Sequence, residues 1–131
     1  MTYTAEELLE AARSVAENAY APYSQFRVGA IAVGDDGNLY RGVNVENAAY
    51  PSGVCAEAGA ISAAATAGVR KINTVAVACI DAVQEDQSYP CGQCRQRLNE
   101  FQVDTVIVAG PDGQPRVHSF DELLPFGFRL D

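Results

Sequence analysis

The sequence predicts an α/β fold, a three-layer α/β/α sandwich with a mixed sheet in the middle. Three observations predict it: a capped amphipathic helix near the start, a β-hairpin, and two short apolar runs that each follow a helix. Runs that are apolar at every position are typical of strands with both faces covered, so helices must pack on both sides of the sheet. Crossover connections then continue the sheet that the hairpin begins.

Composition limits the function before any motif is considered. The chain has 131 residues, 48% hydrophobic and 20% charged, which is typical of one globular domain spanning residues 1–131. No apolar run approaches the roughly 20 residues of a membrane span, and the first residues do not resemble a secretory signal, so we expect a cytoplasmic protein. A formal net charge of −8 opposes nucleic-acid binding, because that affinity comes mainly from Lys and Arg. The expected substrate is a free small molecule.

The first helix follows from its cap and its periodicity. Thr4 and Glu7 form a capping-box pair, and apolar side chains then recur at helical spacing as far as Ala19. The spacing predicts a helix of about four turns that runs to near Tyr20. Pro22 ends it, because proline disfavours the helical conformation in the residue before it.

A β-hairpin comes next. Alternating residues 26–32 and the apolar segment 39–43 flank the turn residues 34–37. The second strand ends in a polar cluster, residues 44–47. Alternation along a strand points Asn44 and Glu46 to the same face, so two hydrogen-bonding side chains are expected to point the same way.

The second half of the chain alternates helices with strands. The predicted order is helix 55–67, central strand 74–80, helix 91–101 and strand 104–109. Gly68 is expected to end the first of these helices. A turn at 111–113 and a capping pair, Ser119 with Glu122, then predict a short last helix ended by Pro125.

Three cysteines and one glutamate form the candidate site. Cys55 precedes Glu57 by two residues, and Cys91 and Cys94 stand three apart at a helix start, so they share a face. A C-x-x-C pair with a distant Cys in a reducing compartment is typical of metal ligation. Three thiols can hold Zn²⁺ and leave its fourth position open for a water, for which Glu57 is the base. Both ligand groups are expected at helix N-termini, whose partial positive charge stabilises thiolates.

The cysteines also admit a simpler interpretation. A closed structural zinc site would use His118 as its fourth ligand, although such a site has no use for Glu57. His118→Ala should leave the zinc content unchanged if the site is catalytic. Cys79 lies within an apolar strand and is expected to be a small buried hydrophobic residue.

At these residues the chain resembles the cytidine deaminase family, specifically its small form with three zinc-binding cysteines. Five blocks in the same order carry the resemblance over most of the chain: residues 22–30, 44–50, 55–57, 90–96, and 122–125 with Phe128. The resemblance implies a mixed five-stranded sheet, one Zn²⁺ per subunit, and a homotetramer with shared active sites. It also implies hydrolytic deamination of free cytidine and 2′-deoxycytidine to uridine and 2′-deoxyuridine, with release of ammonia, in pyrimidine salvage.

The resemblance implies a role for each site residue. Cys55, Cys91 and Cys94 would bind zinc, and Glu57 would shuttle protons. The residues that would contact the nucleoside are Phe26 on the pyrimidine, Asn44 and Glu46 on the ribose hydroxyls, Ala56 next to the first ligand, Ala48 and Tyr50 from an adjoining subunit, and Phe128 from another.

Other interpretations of these residues stay open. Without the resemblance, Asn44 and Glu46 could simply satisfy a strand end, Phe26 and Phe128 could be core aromatics, and Glu57 could only balance the helix dipole. A related enzyme could deaminate another aminopyrimidine nucleoside, such as a blasticidin-type antibiotic. A zinc-stabilised protein could also bind a nucleoside without turnover.

The chain departs from the family pattern at one position. The family commonly has Arg directly after the Cys-Ala-Glu triplet, whereas this chain has Ala58. Zn²⁺ with three thiolates carries one net negative charge. Without that Arg, the zinc would acidify a water less, unless Arg95 or the helix dipoles compensate.

Overall fold

A five-stranded mixed sheet with helices on both faces forms the fold, and the computed structural model describes residues 2–84, 87–110 and 112–130. The helices are α1 (Ala5–Ala16), α2 (Ala56–Thr66), α3 (Gly92–Glu100) and α4 (Phe120–Leu123), with a 3₁₀ turn at Tyr50–Ser52. The strands are β1 (Val28–Gly34), β2 (Leu39–Val43), β3 (Ile72–Cys79), β4 (Thr105–Ala109) and β5 (Pro115–Ser119). No helix in the described ranges has the length and apolar character needed to cross a membrane.

The strand order is β2-β1-β3-β4-β5, so the apolar run predicted as a central strand does lie at the centre. Strands β3 and β4 pair in parallel, whereas every other neighbouring pair is antiparallel. The parallel pair places the N-termini of α2 and α3 on the same side, since each helix precedes one of these two strands. The predicted fold class, an α/β sandwich with a mixed sheet, is confirmed.

Two apolar clusters form the core, one on each face of the sheet. The cluster under α1 joins Leu8, Leu9 and Ala12 to strand residues that include Ile31 and Ala76. The other cluster joins side chains of α2, α3 and α4 to the opposite face. Strand β1 is buried along nearly all of its length, because its alternating side chains meet a helix on either side.

Strand β5 has no apolar pattern that would predict it. It lies at the edge of the sheet, where it pairs with β4, and is mostly exposed. An edge strand can start with a proline such as Pro115, because one side of its backbone needs no partner in the sheet. The turn predicted at 111–113 includes residue 111, which lies outside the described residues.

Helix α1 ends at Ala16, several residues before the predicted end near Tyr20. The reason is a tertiary contact. Tyr20 N donates to Asn44 O (3.0 Å), and Glu46 N donates to Tyr20 O (2.8 Å). Pairing with the segment after β2 pulls this stretch out of the helix, although its apolar spacing continues.

Helix α2 lies unusually close to β2. A Cβ atom at Gly42 would come within 2.2 Å of Ala56 O and 2.3 Å of Ala60 N, so only glycine permits this approach. The close packing fixes the first turn of α2, and with it Cys55 and Glu57, against the sheet.

Candidate active site

The three cysteines predicted to act together lie together in the structure. Cys55 and Cys91 are the N-cap residues of α2 and α3, and Cys94 lies in the first turn of α3. Their sulfur atoms are all within 4.8 Å of one another. A tetrahedral zinc site with Zn–S bonds of about 2.3 Å needs sulfurs roughly 3.8 Å apart. Three free thiols at this separation therefore fit Zn²⁺.

The backbone around the cysteines favours negative charge. Neither α2 nor α3 has a side-chain hydrogen bond at its N-cap, so the side chains of Cys55 and Cys91 do not satisfy the first N–H groups of these helices. The positive ends of two helix dipoles thus converge on the thiols. This arrangement favours thiolates, which are the metal-binding form of cysteine.

Cys55 and Cys94 share a hydrogen bond that makes their ionisation unequal. The Cys94 thiol donates to the Cys55 sulfur, which lowers the pKa of Cys55 to about 6. The same bond, together with burial, raises the pKa of Cys94. Cys55 is therefore the thiol of this pair that loses its proton first.

Glu57 lies in the first turn of α2 and is 5% exposed. Burial, with a smaller contribution from the nearby Cys55 charge, raises the pKa of its carboxyl to about 7. The metal-holding group that the structure defines consists of the three cysteines without Glu57. A buried carboxyl beside a ligand group, without membership in it, is suited to proton transfer.

The two arginines of α3 have different partners. Arg95 Nε donates to Pro90 O (2.9 Å) and its Nη1 to Leu123 O (2.7 Å). Arg97 Nη1, by contrast, lies 3.4 Å from Cys94 Sγ. The sequence suggested Arg95 or the helix dipoles as compensation for Ala58. The structure places the Arg95 side chain on backbone carbonyls and the Arg97 side chain against a thiol.

His118 takes no part in the cysteine group. Its Nε2 lies 2.7 Å from the Tyr89 hydroxyl, and its Nδ1 lies 3.2 Å from Glu122 Oε2. Both ring nitrogens are thus engaged between β5, α4 and the segment before α3. The geometry gives no support to a closed site with His118 as the fourth ligand.

A cavity of about 660 Å³ lies beside the cysteines. Residues on the β2–α2 connection form most of its wall, and α3 contributes one residue. Its lining consists of Tyr23, Ser24, Asn44, Val45, Glu46, Asn47, Tyr50, Pro51, Gly53, Val54, Cys55 and Gln93. The volume is within the range of about 300–1,000 Å³ usual for small-molecule sites.

Asn44 and Glu46 both hold the segment before β1. Asn44 Oδ1 accepts from Val28 N (2.8 Å), and its Nδ2 donates to Phe26 O (2.8 Å). The Glu46 carboxylate accepts from Tyr23 N (2.9 Å) and from the Ser24 backbone and hydroxyl groups. These bonds lower the pKa of Glu46, the Ser24 hydroxyl most of all. Both side chains also line the cavity, so they connect its wall to the start of β1.

The other predicted substrate residues are not all in the cavity wall. Tyr50 lines it and makes an edge contact with Tyr23 at a centroid distance of 6.4 Å. Phe26 is 39% exposed and lies outside the lining, as does Ala56, which is buried in α2. Ala48 is exposed and does not line the cavity.

Phe128 is tied down through its backbone and not through its ring. Gln96 Nε2 and Asn99 Nδ2 donate to Phe128 O at 2.8 and 2.9 Å. The residue itself is 67% exposed and lies outside the cavity lining.

Sequence reasoning missed several lining residues, among them Tyr23, Ser24 and Gln93. All three belong to sequence blocks that carry the resemblance, residues 22–30 and 90–96. Tyr23 and Ser24 follow a proline in a turn, where no strand or helix periodicity predicts the direction of their side chains. Gln93 is the residue between Gly92 and the third cysteine. Its position at the start of a helix could be predicted, but the cavity that it lines could not.

Fold and site together define a class of protein. Three thiols at helix N-termini, a buried carboxyl beside them and a cavity of small-molecule size on an α/β/α sandwich are the parts of a zinc-dependent hydrolytic enzyme.

Comparison with known proteins narrows this class. The family model for the cytidine and deoxycytidylate deaminase zinc-binding region matches residues 2–110. A cytidine deaminase of Mycobacterium tuberculosis is 38% identical over 120 residues, which are 92% of this chain and 86% of that protein. A cytidine deaminase of Sporosarcina psychrophila is 43% identical over 96 residues, which are 73% of this chain and 68% of that protein.

A solved structure agrees with these relatives. The cytidine deaminase from Burkholderia pseudomallei superposes with a TM-score of 0.87 at 40% identity, covering 96% of this chain and 100% of that one. The chain belongs to the cytidine and deoxycytidylate deaminase family. It is a zinc-dependent hydrolytic deaminase.

Proposed function

We propose that the chain is a single-domain cytidine deaminase that converts free cytidine and 2′-deoxycytidine to uridine and 2′-deoxyuridine, with release of ammonia. The observation that carries the proposal is Glu57, a buried carboxyl placed beside three cysteines whose first member lines the cavity. The activity fits a cytoplasmic enzyme of pyrimidine salvage, since the substrate is a free nucleoside.

Each part of the metal site has a task in this reaction. Cys55, Cys91 and Cys94 would hold Zn²⁺, which when bound supplies the Lewis acidity that makes a water nucleophilic at neutral pH. Glu57 accepts the proton of that water on a carboxylate oxygen. It delivers that proton to N3 of the pyrimidine, and once the water oxygen has added to C4 it takes the remaining proton of that oxygen and passes it to the departing amine. One carboxyl thus acts twice as base and twice as acid.

The cavity wall has the groups that a nucleoside requires. Glu46 offers carboxylate oxygens that accept from ribose hydroxyls, and Asn44 offers both a donor and an acceptor. Their bonds to the segment before β1 hold both side chains in place before substrate arrives, which reduces the entropic cost of binding. In the proposed site, Phe26 packs on the pyrimidine and Ala56 lies next to the first zinc ligand.

We propose that four subunits assemble with shared sites. Large exposed apolar residues support this assembly, because monomers seldom leave such surface uncovered. Tyr50 is 77% exposed and Phe128 is 67% exposed. In the tetramer Ala48 and Tyr50 complete the site of one neighbour, Tyr50 while also lining the cavity of its own subunit, and Phe128 covers the base in another.

Phe128→Ala tests the shared site. A base-stacking aromatic contributes roughly 1–3 kcal/mol, so we expect a loss of roughly 5- to 100-fold in kcat/KM with the zinc content unchanged. Phe126→Ala is the matched control, because it removes another exposed ring from the same segment. A fully active monomer in light scattering, or F128A kinetics identical to wild type, would refute the shared site.

One experiment tests the function as a whole. Zinc analysis of the purified protein is combined with an ultraviolet assay on cytidine, 2′-deoxycytidine, cytosine and CMP. We expect one zinc per subunit, turnover of both nucleosides, and poor reaction of CMP, because Phe128 would crowd the 5′ side. Zinc with nucleoside binding but no turnover would instead indicate a binding protein, and turnover of blasticidin-type nucleosides alone would indicate an antibiotic deaminase.

A further inference from the structure

Arg97 contacts the cysteine group from the far end of α3. Its Nη1 lies 3.4 Å from Cys94 Sγ, within the distance expected for a hydrogen bond to sulfur. Long side chains in a helix point back toward its N-terminus, and residues three apart are neighbours on the helix surface. Arg97, three residues after Cys94, can therefore reach the thiol without distortion of the helix.

The contact between Arg97 and Cys94 is partly buried, which strengthens its electrostatic component. Cys94 is 0% exposed, and Arg97 is half-buried. An ion pair with one fully buried member is screened by solvent less than a surface pair. A hydrogen bond that involves a charged group is also stronger than one between neutral groups.

The charge balance of the site calls for such a cation. Three thiolates around Zn²⁺ leave one net negative charge in a site that is partly buried, and an unbalanced buried charge is unfavourable. The helix N-termini contribute only partial positive charges. Ala58, the first residue after the Cys-Ala-Glu triplet, contributes none, and Arg95 is held by the carbonyls of Pro90 and Leu123.

We propose that Arg97 is a positioning residue of the metal site, which holds Cys94 by a hydrogen bond and brings the loaded centre to zero net charge. The inference rests on the proposed function, since it requires the three cysteines to hold zinc. A hydrogen bond to a thiolate withdraws electron density from the sulfur, so it also keeps the metal more Lewis-acidic. Arg97 thus supports both metal retention and turnover without touching the substrate.

The test compares Arg97→Gln with Arg70→Gln. Both variants lose one positive charge, but Arg70 is exposed and donates to the carbonyls of Ala65 and Val69. Zinc affinity is measured by competition with a chromophoric chelator. We expect R97Q to bind zinc about 10-fold more weakly or worse, the effect usual for groups that support metal ligands, and R70Q to bind it as the wild type does.

Cobalt substitution gives a readout independent of activity. Removal of a hydrogen bond from a thiolate makes the sulfur more electron-rich, so the sulfur-to-cobalt charge-transfer band of R97Q should move to longer wavelength. The R70Q band should stay in place. Arg97→Lys keeps the charge without the planar fork and should restore part of the zinc affinity. If R97Q does not fold, Arg97→Met, which keeps an aliphatic stem, replaces it.

The outcomes separate the two proposals. A wild-type protein that binds neither zinc nor cobalt overturns the proposed function itself. A wild-type protein that binds zinc and deaminates cytidine, with R97Q and R70Q equal in affinity and in band position, overturns the role of Arg97 alone. A band shift with weakened binding in R97Q, partly reversed in R97K, supports it.

Discussion

Helices α1 and α2 begin in different ways. Thr4 caps α1: its Oγ1 accepts from Glu7 N (3.1 Å), and Glu7 Oε1 accepts from Thr4 N (2.8 Å). Helix α2 begins at Cys55, which makes no side-chain capping bond, and the acidic residue of its first turn, Glu57, is buried. Both helices place a carboxyl near the positive end of a dipole, but only one uses it for capping.

The difference distinguishes stability from chemistry at equivalent positions. At α1 the side-chain oxygens satisfy N–H groups that would otherwise lack partners, which stabilises the helix. At α2, and likewise at α3 with Cys91, the N-cap is a thiol, and the helix forgoes that stabilisation. What the two helices gain instead is an electropositive place for thiolates and metal.

The largest expected effect comes from exchanging the first-turn carboxyl of each helix for an amide. Glu57→Gln should keep zinc and the fold but lose at least about 10²-fold in turnover, because the proton carrier is removed while the three cysteines stay. Glu7→Gln should leave turnover unchanged, because glutamine also completes a capping box. Steady-state kinetics with zinc analysis decides, and near-normal turnover in E57Q would rule out the mechanism.

The next effect concerns the thiols as a group. Cys94→Ala should lower both zinc content and melting temperature, since metal binding and folding are linked where the ligands come from separate elements. Cys79→Ala is the matched control, because Cys79 is also buried but lies at the end of β3, outside the cysteine group. We expect C79A to lose some packing and to keep its zinc. Unchanged zinc and melting temperature in C94A would refute the ligand assignment.

Cys91→Ser converts the start of α3 into an ordinary capped helix. Serine is a favoured N-cap residue, so the metal-free variant should be more stable than the metal-free wild type by about 1 kcal/mol. With zinc present the order should reverse, because a hydroxyl is a poor replacement for a thiolate. Denaturant unfolding with and without a chelator measures both states. If C91S and the wild type had the same order of stability with and without zinc, the start of α3 would not exchange helix capping for metal binding.

The smallest effect is expected at the capped helix. Thr4→Ala removes the oxygen that accepts from Glu7 N and should cost about 1 kcal/mol of stability. Zinc content and kcat/KM should not change, because α1 packs on the face of the sheet opposite α2 and α3. A loss of zinc in T4A would show that the capped start of α1 and the cysteine site are coupled.

The spacing of residues in the sequence predicted those features that lie within one turn, one helix or one strand. The capping pair at Thr4, the hairpin, the central apolar strand and the shared face of Cys91 and Cys94 could all be predicted, because each depends on residues a few positions apart. The family resemblance rested on the same local blocks, and the comparisons confirm the family. Roles assigned to individual substrate residues stay predictions.

The tertiary structure decided what depends on distant segments meeting. Parallel pairing of β3 with β4 brings Cys55 to Cys91 and Cys94, and it is packing that buries Glu57. Nothing in the spacing showed that Tyr20 leaves the helix for the segment after β2. Periodicity also could not choose between Arg95 and Arg97, because both lie within a turn of Cys94. Side-chain direction and the carbonyls offered by other segments decide that choice, and these exist only once the chain has folded.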